Sequence, residues 1–511
     1  MDQELFGQRL TEALRSKGFK QVDLINVAAE QGIKLGKSKL SQYLNGKSTP
    51  REDMLAFLAQ ALETTTDWLS GTQEPDSASD QPQPSDTQQN NKQDQKKTVQ
   101  GNQEAPRMLE YKKSSKLENV LYDVRGPVVD EANRMEEEGT HVIKLNIGNP
   151  APFGFRTPDE VVYDMSRQLV DCEGYSDSKG LFSARKAIMQ YSQLKGLPNV
   201  KMRDIYTGNG VSELINMCMQ ALLDTGDEIL IPSPDYPLWT ACATLAGGTP
   251  VHYRCDEQAE WLPDLDDIRS KVTSATKAIV VINPNNPTGA LYPRAILEEI
   301  VEIARQHKLI IFADEIYDRL VFEDEEHVSI ASLAPDLFCV TFNGLSKSHM
   351  VAGYRVGWMV LSGNKRLAQD LILGFDMLSN MRLCSNVPGQ SIVQTALGGH
   401  QSVKDYVKEG GRVRRQRDFI YEKLNEIDGV GAVKPKAAFY IFPRLDPKKF
   451  NIQDDDQFAL DLLREKRVLV VGGKGFNWME PGYFRIVYLP RRSVLGEATE
   501  RLADFLSIYR Q

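Results

Sequence analysis

Cysteine is scarce and unpatterned in this chain, with six in 511 residues and no C-x-x-C pair. That argues against a disulfide-stapled scaffold and against the common zinc clusters, and it points to a reduced compartment. The start, Met1-Asp2-Gln3-Glu4, has neither a basic n-region nor an apolar core. A cytoplasmic protein without a membrane span or metal site is therefore expected.

Two further absences are local. From about Thr72 to Pro106 there is no aromatic, Leu or Ile residue, only a stretch rich in Gln, Asp, Ser, Pro, Asn and Lys. Such a segment cannot bury enough apolar surface to offset its ordering entropy, so residues 72–106 are expected to form a disordered linker. From Lys34 to Arg51 there is no acidic residue; Lys34, Lys37, Lys39, Lys47 and Arg51 give this span a charge of +5 in a chain of net charge −9.

With 41% hydrophobic residues, the chain is long enough for three folded units. Residues 1–71 read as a compact all-α unit. Phe6, Leu10 and Leu14 recur at helical spacing, followed by Val22, Leu24, Ile25 and Ala28, then Leu40, Tyr43 and Leu44, then Met54, Leu55, Leu58 and Leu62. From about Val211 to Val360, strand and helix patterns alternate, which predicts an α/β body with a mainly parallel sheet covered by helices on both faces.

The residues that carry chemistry lie in that body. Phe342-Asn343-Gly344-Leu345-Ser346-Lys347 puts a lysine on a polar turn after an apolar stretch, and Arg355 follows eight positions later in Gly353-Tyr354-Arg355-Val356-Gly357. Most lysines are solvated surface charges, so this one gains weight only from its partners. Asp314 ends the apolar run Ile311-Phe312-Ala313 and needs a cation there. Asn283-Pro284-Asn285-Asn286-Pro287-Thr288-Gly289 makes a rigid turn after the strand pattern Ala278 to Ile282. Gly208-Asn209-Gly210-Val211-Ser212 opens a helical pattern whose N-terminus suits a phosphate.

In this order and spacing the set resembles the fold-type I pyridoxal-phosphate aminotransferases of class I and II, from about Leu117 to Tyr509. The resemblance implies a catalytic body at residues 107–511, with a large domain at about 150–400 and a small α/β domain from about 117–149 and 401–511. It implies pyridoxal 5′-phosphate as cofactor, with Lys347, Asp314 and Tyr236 as catalytic residues. Lys347 would be the Schiff-base lysine and proton carrier, Asp314 the partner of the ring nitrogen, and Tyr236 the aromatic stacked on the ring. Asn286 and Tyr317 would bond the ring's 3′ oxygen. Val211, Ser212, Ser346 and Arg355 would hold the phosphate, joined by Tyr175 from a neighbouring subunit in a homodimer with shared sites. Arg485 would clamp the substrate α-carboxylate, with Gly148 close to it and Asn286 also binding substrate. One departure stands out: many relatives have a phosphate-binding serine three positions before the lysine, where this chain has Gly344.

Longer stretches, among them Asn149-Pro150-Ala151-Pro152-Phe153-Gly154-Phe155 and Pro234-Asp235-Tyr236-Pro237-Leu238-Trp239, look like the bacterial alanine aminotransferases. That resemblance implies exchange between L-alanine/pyruvate and L-glutamate/2-oxoglutarate. A pocket taking both a methyl and a propionate side chain calls for a cation that can engage or withdraw, and Arg125 is the candidate, with Tyr122 beside it.

The front unit resembles a Cro/repressor-type helix-turn-helix domain, with Gly36 to Lys47 as recognition helix and exit. This implies contact with double-stranded DNA through Lys37, Ser38, Lys39 and Gln42. Two other readings stay open: a transcriptional regulator whose aminotransferase-like body senses pyridoxal phosphate or an amino acid, and a front unit that serves protein interaction.

Overall fold

The computed structural model describes residues 3–17, 19, 21–30, 33, 35–62, 64–71, 111–117, 120, 126–322 and 325–511. The expected linker at 72–106, together with Lys34, Tyr122 and Arg125, lies outside them. The chain divides into two compact units, Met1–Met108 and Leu109–Gln511.

The first unit is a set of helices: α1 (Gln3–Ser16), α2 (Gln21–Glu30), α3 (Lys37–Leu44), α4 (Glu52–Ala61) and α5 (Thr66–Ser70). Phe6, Leu10 and Leu14 of α1 share one face and pack with Leu24, Ala28, Leu40, Tyr43, Leu58 and Leu62 in a single core. The Phe6 ring meets Tyr43 edge-on at 6.1 Å. Thr65 caps α5 by accepting the Trp68 N–H. Val22 departs from the expected apolar face and is 55% exposed. It lies two residues before Leu24, roughly opposite the Leu24/Ala28 stripe at the helical period.

The second unit is built on a sheet of eight strands. In chain order the strands of this unit begin with β1 (Ile143–Lys144), β2 (Ile205–Asn209), β3 (Glu228–Ser233), β4 (Thr249–Asp256), β5 (Leu262–Pro263), β6 (Thr276–Ile282), β7 (Ile310–Asp314), β8 (Phe338–Gly344) and β9 (Val356–Gly363). The large sheet has the order β2-β9-β8-β7-β6-β3-β4-β5. Its centre, from β4 through β3, β6 and β7 to β8, is parallel. The pairs β8–β9, β2–β9 and β4–β5 are antiparallel.

Helices cover both faces, so the central strands are apolar on both sides. In β6, Ala278, Val280 and Ile282 pack with the helices Val211–Leu222 and Leu238–Ala246, while Ile279 and Val281 pack with Phe182–Leu194 and Arg294–His307. A second core gathers residues from both ends of this unit. Ile143 and Leu145 join the helices Arg412–Asn425, Asp455–Lys466 and Arg492–Leu506 and the strand Phe484–Val487. β1 pairs in parallel with Val468–Leu469, which ties the early and late parts of this unit together. Tyr317, Leu320 and Met350, from the middle of the sequence, also pack into this core. Among the described residues no helix is long and apolar enough to cross a membrane.

Candidate active site

The parallel strands β6, β7 and β8 all end at the same edge of the sheet, and their exits deliver Asn286, Asp314 and the short helix Leu345–Ser348. Ligands in open α/β sheets bind at such carboxyl ends. A cavity of about 210 Å³ opens there. It is lined by Gly148, Val211, Ser212, Tyr236, Asn286, Asp314, Tyr317, Ser346, Lys347, Arg355 and Arg485, residues drawn from more than 330 positions of sequence.

Lys347 Nζ donates a hydrogen bond of 2.6 Å to the Gly148 carbonyl. Burial pushes its pKa below that of an ordinary lysine; Tyr440 opposes the shift, and the guanidiniums of Arg485 and Arg355 add to it. Asp314 is buried at the end of β7, and burial pushes its carboxyl up to about 6. Two donors pull the other way: Trp239 Nε1–H at 3.1 Å and the Ile316 N–H at 3.3 Å. Next to it in sequence, Glu315 shares Lys195 Nζ with Asp318 at 2.5 and 2.7 Å, so one ammonium offsets part of the charge of this acidic pair beside His327.

Arg485 is fixed on the strand Phe484–Val487. Its Nη1 donates to Asn286 Oδ1 at 2.9 Å, its Nη2 donates to the Asn146 carbonyl, and its guanidinium lies 4.5 Å from each of the Tyr440 and Phe476 rings. The Tyr317 and Tyr440 hydroxyls are 2.7 Å apart.

On the opposite side, Arg355 Nη2 donates to Ser212 Oγ and to the Asn209 carbonyl, both at 3.2 Å. Ser212 and Val211 open the helix Val211–Leu222 after Gly210, whose φ is +81°. A Cβ at Gly210 would collide with the Arg355 guanidinium, and one at Gly357 would come within 2.5 Å of the Val211 nitrogen. Glycine at both positions keeps this cradle of donors open.

Gly344 is extended, and a Cβ there would lie 2.6 Å from the Val356 carbonyl of β9. The close β8–β9 pairing thus leaves no room for a serine side chain at this position. The Gly344 N–H is not a substitute donor, since it bonds Asn343 Oδ1 at 2.7 Å.

Tyr175 is not part of this cavity in the single chain; it is 83% exposed. Tyr440 and Trp239 are site residues that sequence reasoning did not assign. Tyr440 reaches Arg485 only because its strand, Tyr440–Ile441, pairs with Phe484–Val487, and no motif marks that pairing. Trp239 stands in a recognised stretch, but its bond to Asp314 depends on the packing of its helix against β7 and β8. In the first unit, Lys37 and Gln42 are exposed on α3, and Lys39 Nζ lies 5.1 Å from the Tyr43 ring.

The family model described as Aminotransferase class I and II matches residues 140–502. The chain belongs to the class I and II aminotransferases. It is 59% identical over 404 residues to the glutamate-pyruvate aminotransferase AlaA of Escherichia coli (strain K12), covering 79% of this chain and 100% of the relative. It is 55% identical over 406 residues to an alanine aminotransferase of Mycobacterium tuberculosis (strain ATCC 25618 / H37Rv), covering 79% and 95%. The fold matches an alanine aminotransferase structure from Pyrococcus furiosus with a TM-score of 0.74 at 39% identity, covering 78% of this chain and 100% of that one.

Aminotransferases of this class depend on pyridoxal phosphate. The cavity fits that group: it combines one half-buried amine, one buried carboxylate, an aromatic wall and a glycine-lined anion cradle at a helix N-terminus.

Proposed function

We propose that this aminotransferase is an alanine transaminase that exchanges the amino group between L-alanine and 2-oxoglutarate, working in the cytoplasm as a homodimer that also binds DNA. The catalytic reading rests on Lys347, a half-buried amine of depressed pKa that shares one cavity with Asp314 and Arg485. The identity to relatives named glutamate-pyruvate and alanine aminotransferase supports the substrate pair.

When bound, pyridoxal phosphate supplies an electron sink for charge at the substrate Cα. The Asp314 carboxylate would face the ring nitrogen and favour its protonated form. Asn286 and Tyr317 would hydrogen-bond the ring's 3′ oxygen, and Tyr236 would stack on the ring. The N–H groups of Val211 and Ser212, the Ser346 hydroxyl and Arg355 would hold the phosphate; Arg355 suits this because its planar guanidinium can contact two oxygens. Arg485 clamps the substrate α-carboxylate close to Gly148, which orients the Cα–H bond. Lys347 then takes the proton from Cα, and the burial that depresses its pKa favours the neutral, basic form of the amine. Because one substrate leaves before the next binds, the kinetics are ping-pong. Arg125, with Tyr122, is the proposed partner of the distal carboxylate of glutamate.

The dimer reading is supported by apolar surface left uncovered on a single chain. Tyr163, Val170, Tyr175 and Phe182 are exposed, as are Leu373 and Met377 one turn apart on the helix Gln369–Met381. Tyr175, on this surface, would complete the partner's phosphate site. The DNA reading is supported by the helical first unit and by Lys37 and Gln42 exposed on α3.

Purified protein supplied with pyridoxal phosphate, L-alanine and 2-oxoglutarate is expected to form pyruvate and glutamate continuously, and Lys347→Ala is expected not to. Bound cofactor without turnover would remove the catalytic reading in favour of a sensor.

A further inference from the structure

Tyr317 and Tyr440 reach the active-site cavity from positions 123 apart in the chain. Tyr317 follows β7, and Tyr440 opens the short strand Tyr440–Ile441, which pairs antiparallel with Phe484–Val487. Both side chains are buried, and their hydroxyl oxygens lie 2.7 Å apart. Among the described residues neither hydroxyl has another hydrogen-bond partner. Each phenol carries one proton and the pair uses only one of the two, so the other is left for whatever enters the cavity. The tyrosine that accepts is the one that keeps it.

Packing holds the Tyr440 hydroxyl in one place. Its ring meets Tyr317 at 5.6 Å and 85° and Phe439 at 5.6 Å and 64°. A Cβ built on Gly148 would collide with Tyr440 Oη, so the hydroxyl rests against the backbone whose carbonyl accepts from Lys347 Nζ.

Charge separates the two phenols. The Arg485 guanidinium lies 4.5 Å from the Tyr440 ring, whereas Lys347 Nζ stands 6.0 Å from the Tyr317 ring. A cation on a ring face attracts its electron density and strengthens the O–H as a donor, which favours Tyr440 as the one that donates. Burial pushes the Tyr317 pKa well above that of an ordinary tyrosine, so Tyr317 holds its proton.

We propose that Tyr440 is a positioning residue for the cofactor: its hydroxyl donates to Tyr317 Oη, which leaves the Tyr317 proton facing the cavity and makes it a stronger donor to the ring's 3′ oxygen. Hydrogen bonds in a chain polarise one another, and here the chain runs from Tyr440 through Tyr317 to the ring. This role presupposes that Tyr317 bonds that oxygen, as proposed above. A donor at the 3′ oxygen favours its charged form and weakens its hold on the proton at Lys347 Nζ, so that proton leaves at a lower pH.

The test is a pH titration of the visible absorption of the full-length holoenzyme, which follows the proton at Lys347 Nζ and needs no turnover. Tyr317→Phe should raise the midpoint by about one unit, the size of one lost hydrogen bond. Tyr440→Phe keeps the ring against Arg485 and should raise the midpoint by about a third of that. In Tyr317→Phe/Tyr440→Phe the midpoint should equal that of Tyr317→Phe, because Tyr440 acts only through Tyr317. Each substitution removes a single oxygen atom, and the cofactor's own absorption shows that the site is folded and loaded. A shift in Tyr317→Phe with none in Tyr440→Phe, or a Tyr440→Phe effect undiminished in the double variant, would overturn the proposal alone. A lower midpoint in Tyr440→Phe would also overturn it, since the hydroxyl would then be acting on Lys347 directly. No shift in Tyr317→Phe would remove the role of Tyr317 and that of Tyr440 with it.

Discussion

Lys347 and Asp314 owe their chemistry to burial more than to identity. Both are taken out of water at strand ends, and both pKa values move toward the neutral form. Lys347→Ala should lower turnover by more than about a thousandfold, since both proton carrier and cofactor anchor are lost; residual turnover within tenfold of the parent would contradict the assignment. Arg485→Lys keeps the charge but loses the planar fork, so kcat/KM for L-alanine should fall by roughly a hundredfold in steady-state assays.

Asp235 gives a pH prediction at the same scale. Its carboxyl is fully buried and accepts from Asn477 Nδ2 at 2.7 Å and Thr240 Oγ1 at 2.8 Å, yet burial still pushes it up to about 7. Between the ordinary carboxylate value of about 3.9 and this raised one, the folded state holds a proton that the unfolded state has lost. The stability this contributes is complete below about pH 4 and is lost as pH rises through about 7. Asp235→Asn cannot titrate, so its melting temperature relative to the parent should rise from pH 5 to pH 8. A difference that stays constant with pH would show that Asp235 does not titrate in this window.

At the scale of elements, the close approach of β8 and β9 governs what can stand before the lysine. Restoring the serine, Gly344→Ser, should destabilise the protein by about 1–3 kcal/mol through overpacking against the Val356 carbonyl, visible as a lower melting temperature. The central strands were legible in the sequence because strands buried on both faces read as continuous apolar runs, as in Ala278 to Ile282. The turns that follow them were legible because Gly and Pro mark rigid exits. Val22 was misplaced because adjacent apolar residues on a short helix do not reveal which of them faces inward. Tyr440 was not legible at all. It lies 93 positions after Lys347 and enters the site through a two-residue strand, too short to leave a periodic signal.

At the scale of the whole molecule, the two units have separate cores, and the active-site cavity is lined wholly by the second. A chain beginning at residue 107 should therefore retain the turnover of the full protein; loss of activity on this truncation would show that the first unit is needed for catalysis. DNA affinity of the full chain should fall steeply with salt and drop in Lys37→Ala/Lys39→Ala, because phosphate contacts act through counterion release. Binding insensitive to both would speak against α3 as the contact face.

The central claim is tested most directly by a single half-reaction. Holoenzyme mixed with L-alanine and no keto acid should form one pyruvate per Lys347-containing chain and then stop, resuming only when 2-oxoglutarate is added. No pyruvate, with cofactor bound at full occupancy, would contradict the account.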